Sequence, residues 1–200
     1  KGNQLPSLIT TNISSSIMTV LFPAIANISD EKERVKEMTR KSVKIMSYVM
    51  FPMLFGLAAV SKPLVNILFT SKWEAAIPFV QILSVSSAIS LIGGVSLQAI
   101  KAIGKSDIIL KLEIYKKPIY VLLLVIGVKV SVKAVAGTML IYSIYGNIVN
   151  ARPLKKEINY TYAEQLKDLS VPFFMSAIMS IVVLMILKLH MNDVITLIMQ

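Results

Sequence analysis

Long apolar stretches alternate with short charged clusters along the whole chain. The apolar stretches cover about residues 5–28, 45–61, 77–100, 118–131, 134–150, 170–187 and 194–200. A helix needs roughly 20 mostly apolar residues to cross a bilayer, and the stretches lack the two-residue alternation that is typical of strands. The pattern predicts an all-α, polytopic membrane helix bundle with six spans and part of a seventh.

The composition excludes several classes of protein. Hydrophobic residues make up 55% of the 200 residues and charged residues 16%, whereas a soluble domain carries about 25% charged residues. There is no cysteine, and the single histidine, His190, has no partner with which to form a multi-histidine metal site. All 11 acidic residues fall in predicted connections or at the ends of apolar stretches. We therefore expect no metal site, no cofactor and no catalytic residue, and we interpret the protein as a non-enzyme.

Lysine and arginine are sorted by alternate connections. The connections 29–44, 101–117 and 150–169 hold 15 of the 21 cations, and the rest of the chain holds six. Cytoplasmic loops of membrane proteins carry this excess, so these three connections are predicted to be cytoplasmic. A soluble helical solenoid, the alternative, has no reason to sort its lysines in this way. The net charge of +10 is thus interpreted as topology, and no nucleic-acid partner is expected.

The first apolar stretch carries hydroxyl groups along one side at spacings of three and four residues. The candidates for a polar path are Thr10, Thr11, Ser14 and Ser15. Such a stripe can line a water-filled cavity, or it can let neighbouring helices approach closely and bond across their interface. Both interpretations predict that the stripe faces protein and not lipid.

Two lysines and four helix-breaking residues complete the candidate set. Lys62 and Lys101 are candidate cations for a diphosphate group, although the Lys62–Trp73 segment also has the character of an interfacial anchor, since Trp and Lys mark membrane interfaces. The residues that interrupt apolar stretches are Pro23, Pro52, Gly93 and Gly94. They are candidate hinges of alternating access; for Gly93-Gly94, tight helix packing is the alternative.

Residues 21–113 resemble a known family through the order of several short motifs. The motifs are Leu21-Phe22-Pro23-Ala24, Pro63-Leu64-Val65, Leu68-Phe69, Lys72-Trp73, Pro78, Gln81-Ile82-Leu83 and Ala102-Ile103-Gly104-Lys105. This order resembles the polysaccharide exporter and oligosaccharide flippase family of the multidrug/oligosaccharidyl-lipid/polysaccharide exporter superfamily. The similarity is greatest to the colanic-acid and teichuronic-acid exporter branch, although Thr70-Ser71 stands where the family usually has glycine.

The resemblance implies a fold, a cargo and partners. The fold is a two-lobe bundle around a central cavity, and this chain corresponds to the second lobe, as the C-terminal part of a longer protein that is itself cut short. The cargo is an undecaprenyl-diphosphate-linked oligosaccharide, moved across the bacterial inner membrane by alternating access. The partners are membrane lipids, the missing N-terminal lobe and, in addition, polysaccharide polymerase and glycosyltransferases. A multidrug extruder of the same superfamily and a non-transporting membrane scaffold for synthesis enzymes are the alternatives.

Overall fold

The computed structural model describes residues 3–69 and 71–198, without the side chains of 12–14, 16–18, 71 and 190–198. These residues form seven α-helices and one 3₁₀ helix, and none of them lies in a strand. The helices are α1 (Gln4–Ala26), α2 (Lys32–Ala59), α3 (Ser61–Phe69), α4 (Ile77–Ala102), α5 (Ser106–Val130), α6 (Val132–Ile158) and α7 (Tyr162–Ile198), and the 3₁₀ helix is Ser71–Ala76. The predicted all-α class is confirmed.

Several helices have the length and composition of membrane spans. Among the described residues, four segments are long and apolar enough to cross a bilayer: Lys32–Ala59, Lys72–Ala102, Val132–Ile158 and Tyr162–Leu189. Helix α5 is long enough, but its apolar part is flanked by charged side chains, among them Lys116, Lys117 and Lys129. The fold is therefore that of a polytopic membrane helix bundle.

The helices extend further than the apolar stretches do. Helix α2 begins at Lys32 and α5 at Ser106, inside the connections predicted at 29–44 and 101–117, because Lys, Arg and Glu are good helix formers. The predicted break between residues 187 and 194 also differs from the structure, in which α7 is continuous over 37 residues. The polar residues there lower the hydropathy without ending the helix, since no Gly or Pro follows Pro172.

Helix α4 lies at the centre of the bundle. It packs against α1, α2 and α6, while α7 packs on α2 and α5 packs on α6. Its buried residues Ile92, Val95 and Ile100 belong to one apolar core with Met46 and Leu54 of α2. Helices α6 and α7 follow each other in the chain but contact each other little. The order across the bundle is thus α7, α2, α4, α6 and α5, with α1 packed on α2 and α4.

The interface between α4 and α6 is polar. Ser143 Oγ lies 2.6 Å from Ser86 Oγ and accepts a hydrogen bond from Ser90 Oγ at 2.8 Å. Asn147 Nδ2 donates to the carbonyl oxygen of Ile89 at 2.6 Å. One turn further, the buried ammonium of Lys116 donates to Asn150 Oδ1 at 3.0 Å. These bonds tie α4 and α5 to α6 through groups that would be costly to leave unpaired in a membrane.

The predicted hinge residues lie inside uninterrupted helices. Pro23 is in α1, Pro52 is in α2, and α4 continues through Gly93-Gly94. A methyl group built on Gly93 would lie 3.0 Å from Asn150 Nδ2, so this glycine lets α4 approach α6. The geometry supports the packing interpretation of Gly93, and a hinge function of these residues stays a prediction.

Replacing Gly93 with a large side chain is expected to separate α4 from α6. For Gly93→Leu we expect a loss of about 1–3 kcal/mol of stability, the usual cost of overpacking, measured as thermal unfolding of the full-length protein in detergent. Gly137→Leu on α6 is the matched control, because a methyl group on Gly137 has no neighbour within 4 Å. Equal unfolding midpoints for the two variants would contradict the packing role.

Candidate functional site

Helix α1 presents two chemically different faces. Leu21 and Ile25 are buried, and Leu5 and Ile9 pack against the same core. The opposite face is exposed and carries polar side chains: Gln4, Thr11, Ser15 and Thr19. The exposed side also carries Leu8, Val20 and Phe22, and the candidate Thr10 is half-buried. Of the candidate hydroxyl residues, Thr11 and Ser15 thus face away from this bundle.

The hydroxyl groups of α1 donate to their own helix. Ser7 Oγ donates to the Gln4 carbonyl at 2.8 Å, and Thr10 Oγ1 donates to the Ser7 carbonyl at 3.1 Å. Thr19 Oγ1 likewise donates to the Ser15 carbonyl at 2.7 Å. A hydroxyl oxygen keeps its acceptor capacity when its proton is used in this way. Thr19 is exposed, whereas Ser7 and Thr10 are half-buried, so Thr19 offers an acceptor oxygen on the exposed face. Ser14, the remaining candidate, has a side chain outside the described residues.

Parts of the exposed surfaces of α5 and α7 are apolar. On α5 they include Val121, Leu122 and Val125, and on α7 they include Phe174, Ile178 and Met185. In a membrane protein such surfaces face lipid tails, whereas polar side chains avoid them. The hydroxyl face of α1 differs from both and suits contact with water or with other protein.

The two candidate lysines lie at opposite ends of the bundle. Lys101 is in the last turn of α4, and its ammonium lies 5.7 Å from the ring centroid of Phe22, near the end of α1. Lys62 is in α3, which follows the other end of α2. Both side chains are exposed. The structure therefore does not bring them together, and only Lys101 is near the end of α1.

A cleft between α2, α4, α6 and α7 is the second candidate for a ligand site, after the exposed face of α1. It has a volume of about 380 Å³ and is lined mainly by apolar residues such as Phe55, Val85 and Leu184. Its polar groups are Gln81 and Ser180. This lining offers little to a sugar, whose hydroxyl groups need several hydrogen-bond partners. The α1 face is the better candidate for contact with a polar ligand.

An ion-pair network that the sequence did not predict joins α2 to α7. Lys36, Arg40 and Lys44 follow each other at intervals of four residues on α2, and Glu164 and Asp168 do so on α7. Asp168 accepts from Arg40 Nε at 2.7 Å and Nη2 at 2.9 Å, and it lies 3.2 Å from Lys44 Nζ. Lys36 Nζ lies 3.0 Å from Glu164 Oε1. We call these five residues the α2–α7 ion network.

The turn between α6 and α7 positions the acids of this network. Asn159 ends α6 in the left-handed conformation at φ 54°. Thr161 and Glu164 then form a capping box, in which the Glu164 carboxylate accepts from the Thr161 amide at 2.8 Å and Thr161 Oγ1 accepts from the Glu164 amide at 3.3 Å. The buried Tyr160 hydroxyl donates to Asp168 at 3.0 Å. Burial, followed by the Asp168 charge, raises the pKa of Tyr160, so the phenol stays a neutral donor.

The three lysine-rich connections predicted from the sequence meet at one end of the bundle. The α2–α7 ion network joins the region 29–44 to 150–169, and Lys105 Nζ lies 3.1 Å from Glu157 Oε2. The four-residue spacing of opposite charges on two segments was the signal for this network. The sequence alone did not show that the two segments are neighbours, because 128 residues separate Arg40 from Asp168.

Within the described residues, no group of three or more His, Asp or Glu side chains is placed to hold a metal ion. The side chain of His190 lies outside them. The chemistry that the described surface offers is therefore hydrogen bonding from hydroxyl groups and charge pairing from lysines.

Fold and surface together define a multi-pass helical membrane protein with one polar exposed helix face. A family model described as a polysaccharide biosynthesis protein matches residues 1–78. Together with the similar proteins described next, this match supports the resemblance to polysaccharide exporters on which the motifs of the chain agree. No solved structure matches the chain.

Three relatives are informative. The lipopolysaccharide biosynthesis protein WzxC of Escherichia coli is 28% identical over 162 residues, or 80% of this chain and 33% of the relative. The teichuronic acid biosynthesis protein TuaB of Bacillus subtilis is 24% identical over 180 residues, or 90% of this chain and 37% of the relative. The succinoglycan biosynthesis transport protein ExoT of Rhizobium meliloti is 27% identical over 108 residues, or 54% and 22%. The chain thus spans between 22% and 37% of these relatives.

Removing the central acid of the α2–α7 ion network is expected to destabilise the bundle. Asp168→Asn leaves Arg40 and Lys44 without their shared carboxylate, and because those cations are partly solvated we expect a loss of about 1–3 kcal/mol, below the cost of breaking a fully buried pair. Chemical unfolding of the full-length protein in detergent measures the change. Asp107→Asn is the control, since the Asp107–Lys111 side chains are 64% and 71% exposed and such pairs contribute little. Equal losses would refute the network's role.

Proposed function

We propose that this chain is part of a membrane transporter that moves a lipid-linked oligosaccharide across the bacterial inner membrane by alternating access, without covalent catalysis. The observation that carries the proposal is the set of exposed polar side chains on α1, which faces away from this bundle, whereas the exposed parts of α5 and α7 include many large apolar side chains. The relatives support it, since they are named for polysaccharide biosynthesis and, in one case, for transport.

In the proposed path, the exposed face of α1 forms one wall. The part of the full-length protein that lies outside this chain forms the other wall. Thr10, Thr11, Ser14 and Ser15 would accept hydrogen bonds from sugar hydroxyl groups. Lys101 would attract the diphosphate at the cytoplasmic end, and Lys62 would do so at the opposite end, which is the outer end in the orientation that the lysine-rich connections predict. Membrane lipids surround the apolar faces of α5 and α7, and polysaccharide polymerase and glycosyltransferases are proposed partners of the whole protein.

The two alternative functions predict different results for a strain in which the gene is deleted. A multidrug extruder would protect cells from organic cations and leave polysaccharide export unchanged. A scaffold for synthesis enzymes would reduce the synthesis of lipid-linked sugar, so that none accumulates. Loss of a transporter leaves lipid-linked sugar on the cytoplasmic face, and this accumulation in a deletion strain distinguishes the proposed function from both.

Removing the hydroxyl groups of α1 is expected to slow export. In the full-length protein we replace Thr10, Thr11, Ser14 and Ser15 with alanine and measure surface polysaccharide in the deletion strain. Each neutral hydrogen bond contributes roughly 0.5–1.5 kcal/mol, so we expect a fall of about tenfold or more.

The control for this variant removes hydroxyl groups elsewhere. Ser42 donates to its own helix, to the Met38 carbonyl at 2.8 Å, as Thr10 does to Ser7, and Ser106 is exposed at the start of α5. Ser42→Ala with Ser106→Ala should leave export unchanged. Full export by the quadruple alanine variant, at equal protein level, would exclude a path along α1.

The proposed orientation predicts which cysteines a membrane-impermeant maleimide can reach. The chain contains no cysteine, so single cysteines at exposed positions report on their own side. In intact spheroplasts, we expect the maleimide to label cysteines at positions 72 and 133. Cysteines at positions 111 and 152 should be labelled only after the inner membrane is permeabilised. The opposite pattern would reverse the orientation, and labelling of both sets in intact spheroplasts would contradict the spans between them.

A further inference from the structure

The connection between α2 and α4 contains two short helical elements. It consists of α3 (Ser61–Phe69) and the 3₁₀ helix (Ser71–Ala76), which contact each other. Asn66 Nδ2 lies 3.4 Å from Glu74 Oε1 across the two elements. We call residues 61–69 and 71–76 the outer segment.

The outer segment displays large apolar side chains. Ile67 is 79% exposed, Leu68 is 55% exposed and Trp73 is 40% exposed. Ser61 and Val65 of α3 are buried, so one side of α3 packs on the bundle. Ile67 and Leu68 are on the exposed side of the same helix. Apolar side chains grouped in this way are unfavourable in water.

The charges beside these side chains match a lipid surface. Lys62 and Lys72 are exposed; Lys62 precedes Ile67 in the chain and Lys72 lies between Leu68 and Trp73, while the carboxylate of Glu74 lies near Asn66. Trp73 follows Lys72 directly, and tryptophan is enriched where hydrocarbon meets headgroups. The segment also lies where two candidate spans, Lys32–Ala59 and Lys72–Ala102, reach the same end of the bundle. Its surroundings are therefore the boundary between lipid tails and headgroups.

We propose that the outer segment binds the adjoining leaflet. It inserts Ile67, Leu68 and Trp73 at the boundary between headgroups and acyl chains, and it pairs Lys62 and Lys72 with the phosphate groups of phospholipids. This interaction concerns bulk lipid and not the transported sugar. It shares Lys62 with the proposed path, but it requires only that the protein lies in a membrane, and the insertion of Ile67, Leu68 and Trp73 is tested without measuring export.

Depth-resolved spin labelling of the full-length protein in lipid nanodiscs tests the insertion. Spin labels are attached to single cysteines at positions 67 and 68, with Ala75→Cys as the matched control on an exposed residue of the 3₁₀ helix. We expect relaxation of labels 67 and 68 by oxygen, which dissolves in lipid, and protection from a water-soluble nickel chelate. Label 75 should show more relaxation by the chelate.

Both other outcomes of the labelling overturn the proposal. Relaxation of labels 67 and 68 mainly by the nickel chelate would place them in water. Protection from both reagents would show that protein covers them. Either result would leave the transport proposal unaffected, since export is measured separately.

Brominated phospholipids test the role of the lysines. The fluorescence of Trp73, taken as the difference between the protein and its Trp73→Phe variant, should be quenched more by brominated phosphatidylglycerol than by brominated phosphatidylcholine. Lys62→Gln with Lys72→Gln should abolish that preference, whereas Lys111→Gln with Lys155→Gln, at the opposite end of the bundle, should keep it. No quenching, no preference, or a preference retained in the first double variant would refute the pairing with phosphates.

Discussion

The need to give every polar group a hydrogen-bond partner in a medium without water constrains this bundle more than any other interaction. Lipid offers no partners, so each backbone group is satisfied within its helix and each buried polar side chain needs a partner nearby. The hydroxyl groups of Ser84 and Ser176 meet this requirement by donating to their own helices. Ser86 and Ser143 meet it across the α4–α6 interface. Small polar residues of this kind hold helices together in membranes, where burial of apolar surface gives no advantage.

The α2–α7 ion network shows how this requirement shapes the end of the bundle where the lysine-rich connections meet. Helix α7 has little contact with α6, its neighbour in the chain, so its position depends on α2. Along the apolar part, Phe173 packs edge to face against Phe51 and Phe55 of α2 at centroid distances of 5.9 and 5.5 Å. Beyond it, Arg40 and Asp168 continue the same interface with charges. The α2–α7 interface thus changes from aromatic to ionic contacts where it leaves the apolar region. Helix α4 packs on another side of α2.

Local patterns predicted the helical class and the two faces of α1, because Leu5, Ile9 and Leu21 repeat at helical spacing on one side of the helix. They did not predict the continuation of α7 past residue 187, since low hydropathy is a signal for the membrane boundary and not for the end of a helix. Glu113 shows the same limit: assigned to a connection, it lies inside α5 and pairs with the buried Lys116. The partners of Arg40 and of Asn150 depend on which helices are neighbours, and no short-range pattern contains that information.

The chemistry of the α1 face bears on the choice between the proposed sugar cargo and an organic cation. Helix α1 contains no acidic residue, and the charged side chain near its end is Lys101, which repels cations. A cation stripped of water needs a carboxylate or an aromatic surface to replace its hydration. Hydroxyl oxygens whose protons are already donated to the helix provide neutral acceptors, which suit the many weak donors of an oligosaccharide. Each such bond is weak, so a ligand bound through several of them is held without being trapped, as transport requires.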